Sequence, residues 1–425
     1  MPRSGDSRSR NDLLLGGVRL ISGQIVDVGL RAGKIQTIGA PGTLPAAERL
    51  DLGGYLLLPA PAEPHAHFDT ALTADRIANP TGDLGGAIDA WLDYQASVPQ
   101  EDFVARATEA ALLGLANGTT AIRTHVGIYE PVGIGAVEAL LEVRERLRDL
   151  VDLQLVALTV ELTGPECAEI RAMLRAAMEL GADVVGGCPH LDPRPVAYHD
   201  LTLSLAAELG RPIDLHTDET LNASVLHLPH FADLVATTGF PYGATASHCV
   251  SLGVQPPERA AEVAARVAAA RVAVVCNPQT NLFLQARGQD FAPVRGLTAL
   301  RALLDAGVTV AGGGDNVRDP FNPVGRVDPL ETASLLVTAG HLTPEEAYAA
   351  VSTGARAAMG LPEVQVAPGF PAELLAVQAS SLGEAIAGGT GRVVIHQGRM
   401  VSRTTVTREF PDARAAALTA QRSLP

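Results

Sequence analysis

The sequence predicts an α/β protein: a (β/α)8 TIM barrel accompanied by a small β-sandwich domain formed by the N- and C-terminal segments. Three observations point there. Through the middle of the chain, eight short apolar runs alternate with Ala/Leu/Glu/Arg stretches of helical period. No Gly-rich phosphate loop follows the first run, which counts against an open doubly wound sheet. The two chain ends share a different texture, of short strands and glycine-punctuated turns.

The elements follow in order. Residues 1–12 are polar and read as a disordered tail without the apolar stretch of a signal peptide. Residues 13–58 form the first part of the β-sandwich, with strands at 17–21, 24–30 and 34–39. The barrel takes 59–368. Its expected strands are Leu56–Pro59 leading to His65, then Ala121–His125, Leu153–Thr159, Asp183–Gly187, Ile213–His216, Ala244–His248, Val272–Cys276 and Val308–Ala311. Helices are expected at Glu101–Ala116, Val137–Leu150, Glu166–Leu180, Asp200–Leu209 and Pro257–Ala270. Residues 369–410 complete the sandwich, and 411–425 form a second tail.

Composition narrows the function. Aromatics are only 4% of the chain, so Ala, Val and Leu must fill the core. A formal net charge of -15 argues against nucleic acid or an anionic membrane surface as a partner, since both need a basic face. No run of 18 apolar residues predicts a membrane span. Cys167, Cys188, Cys249 and Cys276 form no CxxC pair and read as buried thiols of a reducing compartment, so the expected location is cytoplasmic.

Polar residues stand where the apolar runs stop, and in a barrel these C-terminal strand ends build the active site. His65 and His67, at i and i+2 on an extended chain, point the same way. His216, Glu219, His248 and Asp315 end other predicted strands. Neutral imidazoles with a carboxylate suit zinc or iron(II). His65, His67, His216 and Asp315 are the expected ligands of one divalent ion, with room left for a water of lowered pKa. Glu219, just past its strand, is the expected proton shuttle. Asp315 can also orient or deprotonate the water, and His248 is placed to orient it or polarise the substrate. The chain has a single lysine, Lys34, in the N-terminal segment. A two-metal centre bridged by a carboxylated lysine at the fourth strand is therefore excluded; Cys188 and Glu161 are the weaker alternatives for a second ion.

These segments resemble the amidohydrolase superfamily, and within it the one-metal, cytosine deaminase-like branch. The resemblance runs from about Leu56 to Leu361. It is carried by Glu63-Pro64-His65-Ala66-His67-Phe68-Asp69-Thr70, Arg123-Thr124-His125-Val126, Gly186-Gly187-Cys188-Pro189-His190, His216-Thr217-Asp218-Glu219, Ala246-Ser247-His248, Asn277-Pro278 with Asn281 and Gln285, and Gly314-Asp315-Asn316 with Asp319-Pro320. It implies the same ligands, shuttle and water contact, a homo-oligomer, and water attack on an amidine-like ring carbon. The family's amide reader at the end of the third strand is Val160 here, with Glu161 one residue on. Its second aspartate is Asn316, and its nearby tryptophan is Phe321. Leu84 is expected over the substrate ring, and His125 either in the pocket or beneath it. Cytosine itself is thus not the expected substrate. The reading is a deaminase of a small N-heterocycle; the alternatives are hydrolysis of amide or N-alkylamine bonds on a triazine or cyclic urea, and a catalytically silent binding protein.

Overall fold

The computed structural model describes residues 11–411; the ends read above as tails lie largely outside these residues. Asn11 and Asp12, assigned to the first tail, already belong to a strand, because their backbone pairs into the sheet that follows. The chain divides into two compact units, between Ala60 and Pro61 and between Glu363 and Val364.

The first unit holds β1 (Asn11–Arg19), β2 (Ile25–Arg31), β3 (Lys34–Gly39), β4 (Ala46–Asp51) and β5 (Tyr55–Pro59). The second contributes the barrel strands β6 (Ala62–Ala66), β7 (Ala121–Gly127), β8 (Asp152–Leu158), β9 (Val184–Gly187), β10 (Ile213–Thr217), β11 (Ala244–His248), β12 (Ala273–Cys276) and β13 (Val310–Gly312). The chain returns to the first unit with β14 (Leu374–Gln378), β15 (Arg392–His396) and β16 (Arg399–Thr404). There the order is β16-β15-β14-β5-β1-β2-β3, with β4 on β1, a sandwich-like sheet over one core that includes Leu15, Val28, Ile35, Leu57, Leu374 and Ile395.

One strand assignment needs correction. Tyr55–Pro59 pairs antiparallel with β14 in the terminal sheet, so the apolar run at 56–59 is not the first barrel strand. That strand is Ala62–Ala66, whose five residues are all buried. Its sequence is polar because it carries Glu63 and His65 into the barrel, so apolar periodicity passes over it. The other seven strands fall within two residues of expectation. Among the helices, Pro257–Ala270 starts on its proline as read, whereas the expected Asp200 start moves back to Pro195, where proline suits the first helical turn.

All barrel strands pair in parallel from β6 to β13. The ring closes where Ala66 bridges Asp315 and the Asp315 N–H donates to the His65 carbonyl at 2.9 Å. Inside, the barrel is a packed core. Gly186 illustrates it: a Cβ there would lie 2.3 Å from Val156 Cγ1. Among the described residues, no helix is long and apolar enough to cross a membrane.

Candidate active site

Ring closure gathers the strand-end residues at one mouth. His65 ends up fully buried, His216 and Asp315 nearly so, and the His67 side chain is only 12% exposed. Nε2 of His67 lies 3.1 Å from Nε2 of His216 and 3.5 Å from Asp315 Oδ1, while His65 Nε2 lies 3.8 Å from the same oxygen. His248 closes the group, with Nε2 3.9 Å from Asp315 Oδ2 and Nδ1 3.3 Å from Glu219 Oε1.

The backbone contributes to this placement. His248 and Asp315 both adopt left-handed φ, 69° and 65°, which non-glycine residues rarely do. Glu63 ties β6 to the loop after β13: its carboxylate accepts from His65 N at 3.1 Å and Gly314 N at 2.9 Å. The Gly312-Gly313-Gly314 stretch allows that approach, since a Cβ on Gly313 would stand 2.6 Å from Asn277 Oδ1 and 3.0 Å from His65 Cβ.

The donor set fits a cation. His65 Nδ1 and Nε2, His216 Nδ1 and both Asp315 oxygens are buried without hydrogen-bond partners among the described residues. Buried polar atoms are rarely left so, unless a ligand takes them up. Burial pushes His65, His216 and His248 well below the ordinary imidazole range and His67 to about 3, so all four rings are neutral, the form a metal needs. Burial, with Glu219, Asp319 and Glu63 nearby, drives the Asp315 carboxyl well up in the metal-free chain. Acids crowded among neutral rings call for positive charge from outside. Among the described residues two trios have ligand atoms within 4.8 Å of one another: His65, His67 and Asp315, and His65, His125 and His216. Neither includes Cys188 or Glu161.

Glu219 is buried, and burial raises its carboxyl to about 8, against a lowering hydrogen bond from Asn281. A carboxyl poised near neutrality can both take and give a proton.

The cavity beside this group is lined by Leu84, Ile88, Trp91, Leu158, Val160, Leu191, Leu284 and Phe321, with Asp69, Thr70, Tyr129, Cys188, Thr280 and Asn316. Leu84, Val160, Asn316 and Phe321 are thus cavity residues. Glu161 is not: it is exposed, because the chain turns outward one residue after Val160. His125 is no pocket residue either. It is fully buried, its ring centre 4.0 Å from that of His65, above an ion pair between Arg123 and Asp214 at 2.8 Å. The reason is that β7 continues two residues past it, to Gly127. His227 caps the start of the helix Leu228–Thr238 and contacts Asp218 through Nδ1 at 3.0 Å.

Asn277 and Asn281 matter more than their sequence showed. An amide nitrogen of Asn277 lies 3.3 Å from His248 Nε2, and one of Asn281 lies 3.2 Å from His248 Nδ1. Asparagine near a strand end carries no signal for this, because its partner is 29 or 33 residues away in the chain.

Comparison with known proteins agrees with this geometry. The model of the amidohydrolase family matches residues 101–402. A pterin deaminase of Rhizobium rhizogenes is 34% identical over 385 residues, covering 89% of this chain and 88% of that protein. The crystal structure of 5-methylcytosine deaminase from Klebsiella pneumoniae superposes with a TM-score of 0.84 at 28% identity, covering 94% of this chain and 99% of that one. That of N-isopropylammelide isopropylaminohydrolase from Burkholderia multivorans gives 0.79 at 29%, over 93% and 99%.

Proposed function

Because the chain belongs to the amidohydrolase family, we propose that it is a metal-dependent aminohydrolase of a small N-heterocycle. His65, His67, His216 and Asp315 would hold one divalent ion, zinc or iron(II). When bound, such an ion lowers the pKa of water and polarises a ring carbon. Glu219 takes a proton from the attacking water and returns it to the leaving nitrogen. His248, held by Asn277 and Asn281, orients the water. The ring lies between Leu84 and Phe321, with Asn316 and Val160 at its edges.

The observation that carries this reading is the buried Glu219 carboxyl, at about 8, within 3.3 Å of His248 and beside four neutral imidazoles. The relatives make a pterin or another amino-substituted ring the first substrate to try. Cytosine is the poorer choice, since Val160 has no amide to read a pyrimidine edge. The test is ammonia release from pyrimidines, pterins, triazines and cyclic guanidines by metal-loaded protein. Release from at least one, abolished in Glu219→Gln, is expected. Protein that holds no metal and releases nothing refutes the reading.

A second reading, N-alkylamine hydrolysis, is favoured by the relative that removes an isopropylamino group. Amine in place of ammonia among the products identifies it. The reading also takes the chain as a cytoplasmic homo-oligomer acting on small molecules; light scattering on the purified protein tests the assembly.

A further inference from the structure

Beyond Leu158 the end of β8 offers a substrate only apolar surface, since Val160 lines the cavity and Glu161 is exposed. The ring must be oriented by other groups. Most polar side chains around the cavity are already committed. Asn316 donates its amide to Asp319 at 2.8 Å, and its backbone N–H donates to the Thr280 hydroxyl oxygen at 3.2 Å. Thr70 gives its hydroxyl to Asp319 at 2.5 Å. His67, His216 and Asp315 belong to the proposed metal centre, and Glu219 and His248 to the handling of its water.

Asp69 is different. It lines the cavity and is only 3% exposed. Its Oδ2 accepts from Gly127 N at 2.9 Å, which fixes the carboxylate against the end of β7. Among the described residues its Oδ1 has no hydrogen-bond partner. The cation beside it, Arg106, does not pair with the carboxylate: its NH1 serves the carbonyls of Asp69 and Ala71, and its Nε serves Asp102. An acceptor left unmet in a buried wall costs free energy that a donor on a ligand would recover. Asp69 follows β6 and Glu219 follows β10, strands on opposite sides of a ring of eight. A ligand edge at Asp69 is therefore not the edge that carries the reacting carbon beside Glu219.

We propose that Asp69 is a specificity-determining residue: its Oδ1 accepts a hydrogen bond from the substrate, so the site selects heterocycles that present a ring N–H or amino donor on an edge other than the reacting one. This rests on the aminohydrolase reading. It places recognition on the β6 side of the mouth, where β8 has only valine.

The test uses metal-loaded wild type and Asp69→Asn. The asparagine oxygen can keep the Gly127 contact, which puts an amide donor where Oδ1 stood. Cytosine, N-isopropylammelide and pterin are each paired with derivatives in which one ring N–H is methylated. Product release gives kcat and KM. Fluorescence of Trp91, the single tryptophan and a cavity residue, gives binding. For the best substrate, wild type is expected to reject one methylated partner by about 100-fold or more, as sites built around a hydrogen bond do. Asp69→Asn should lose a similar factor on the parent, mostly in KM, and discriminate within the pair only a few-fold. Its metal content and Tm should hold.

Equal losses on both members of every pair, or loss of metal from the variant, mean a structural role and overturn the inference. An Asp69→Asn enzyme that matches wild type does the same. Absence of N-methyl discrimination in wild type overturns it without any variant. A wild type that turns over no member of the panel sinks the aminohydrolase reading and this inference together, whereas an active wild type with an unaffected variant sinks only the inference.

Discussion

The Glu219 carboxylate stands 3.3 Å from Nδ1 of His248, and one amide nitrogen of Asn281 reaches both, at 3.2 Å each. Three strand-end segments thereby fix a buried acid against a neutral imidazole. Glu219→Gln keeps the shape and removes the titrating group. It should lower kcat by about 100- to 10,000-fold with metal content unchanged. Asn281→Leu leaves both groups in place but unsteadied, and should cost up to about 100-fold in kcat, as small misplacements do. Steady-state kinetics with metal analysis checks both; an Asn281→Leu enzyme at full rate would show that the contact positions nothing.

Metal removal should be visible in stability as well as activity. Among the described residues, both Asp315 oxygens and both His65 nitrogens lack hydrogen-bond partners. Chelation should abolish turnover and lower Tm, and zinc or iron(II) should restore both. At a hundredfold excess over Kd the ion would contribute about 2.7 kcal/mol. A Tm indifferent to chelator and metal counts against a centre built from these residues.

Gly313 is a tight place. An added Cβ would meet Asn277 Oδ1 at 2.6 Å, His65 Cβ at 3.0 Å and Glu63 Oε1 at 3.1 Å. Gly313→Ala should therefore destabilise the fold by roughly 1–3 kcal/mol and weaken metal binding by pushing His65. Denaturant titration and metal content report the two effects separately.

Glu346 gives a pH dependence remote from the site. The Arg301 guanidinium and the Thr343 N–H hold its carboxyl at about 2, down from 4.5. A carboxyl with a lowered folded pKa stabilises the fold above its unfolded value and loses that contribution as pH falls toward the folded one. Wild type should thus melt above Glu346→Gln at pH 7, with the gap closing between about pH 4.5 and 2. A gap that is constant with pH would mean that the ion pair and cap add nothing.

Much of this protein is written locally. Seven of the eight barrel strands are apolar runs whose burial inside a ring follows from their composition. The candidate centre was legible too, because it needs rare side chains at strand ends: His65 and His67 two apart, then His216, His248 and Asp315 each closing its own strand or following it. The single lysine, Lys34, likewise argues against a lysine-bridged pair of ions.

Folding alone decided the rest, for one physical reason: periodicity reports which residues avoid water, not which atoms meet. It assigned the apolar 56–59 run to the barrel, while closure required the polar Ala62–Ala66 strand, whose buried histidine and glutamate find their partners some 250 residues away. It left Val160 and Glu161 as alternatives until the chain's outward turn put valine on the cavity. It packed His125 against His65 and off the cavity lining, and it gave Asn277 and Asn281 their hold on His248. Residue types determined what chemistry this chain can hold; the ring of strands determined which side chains share it.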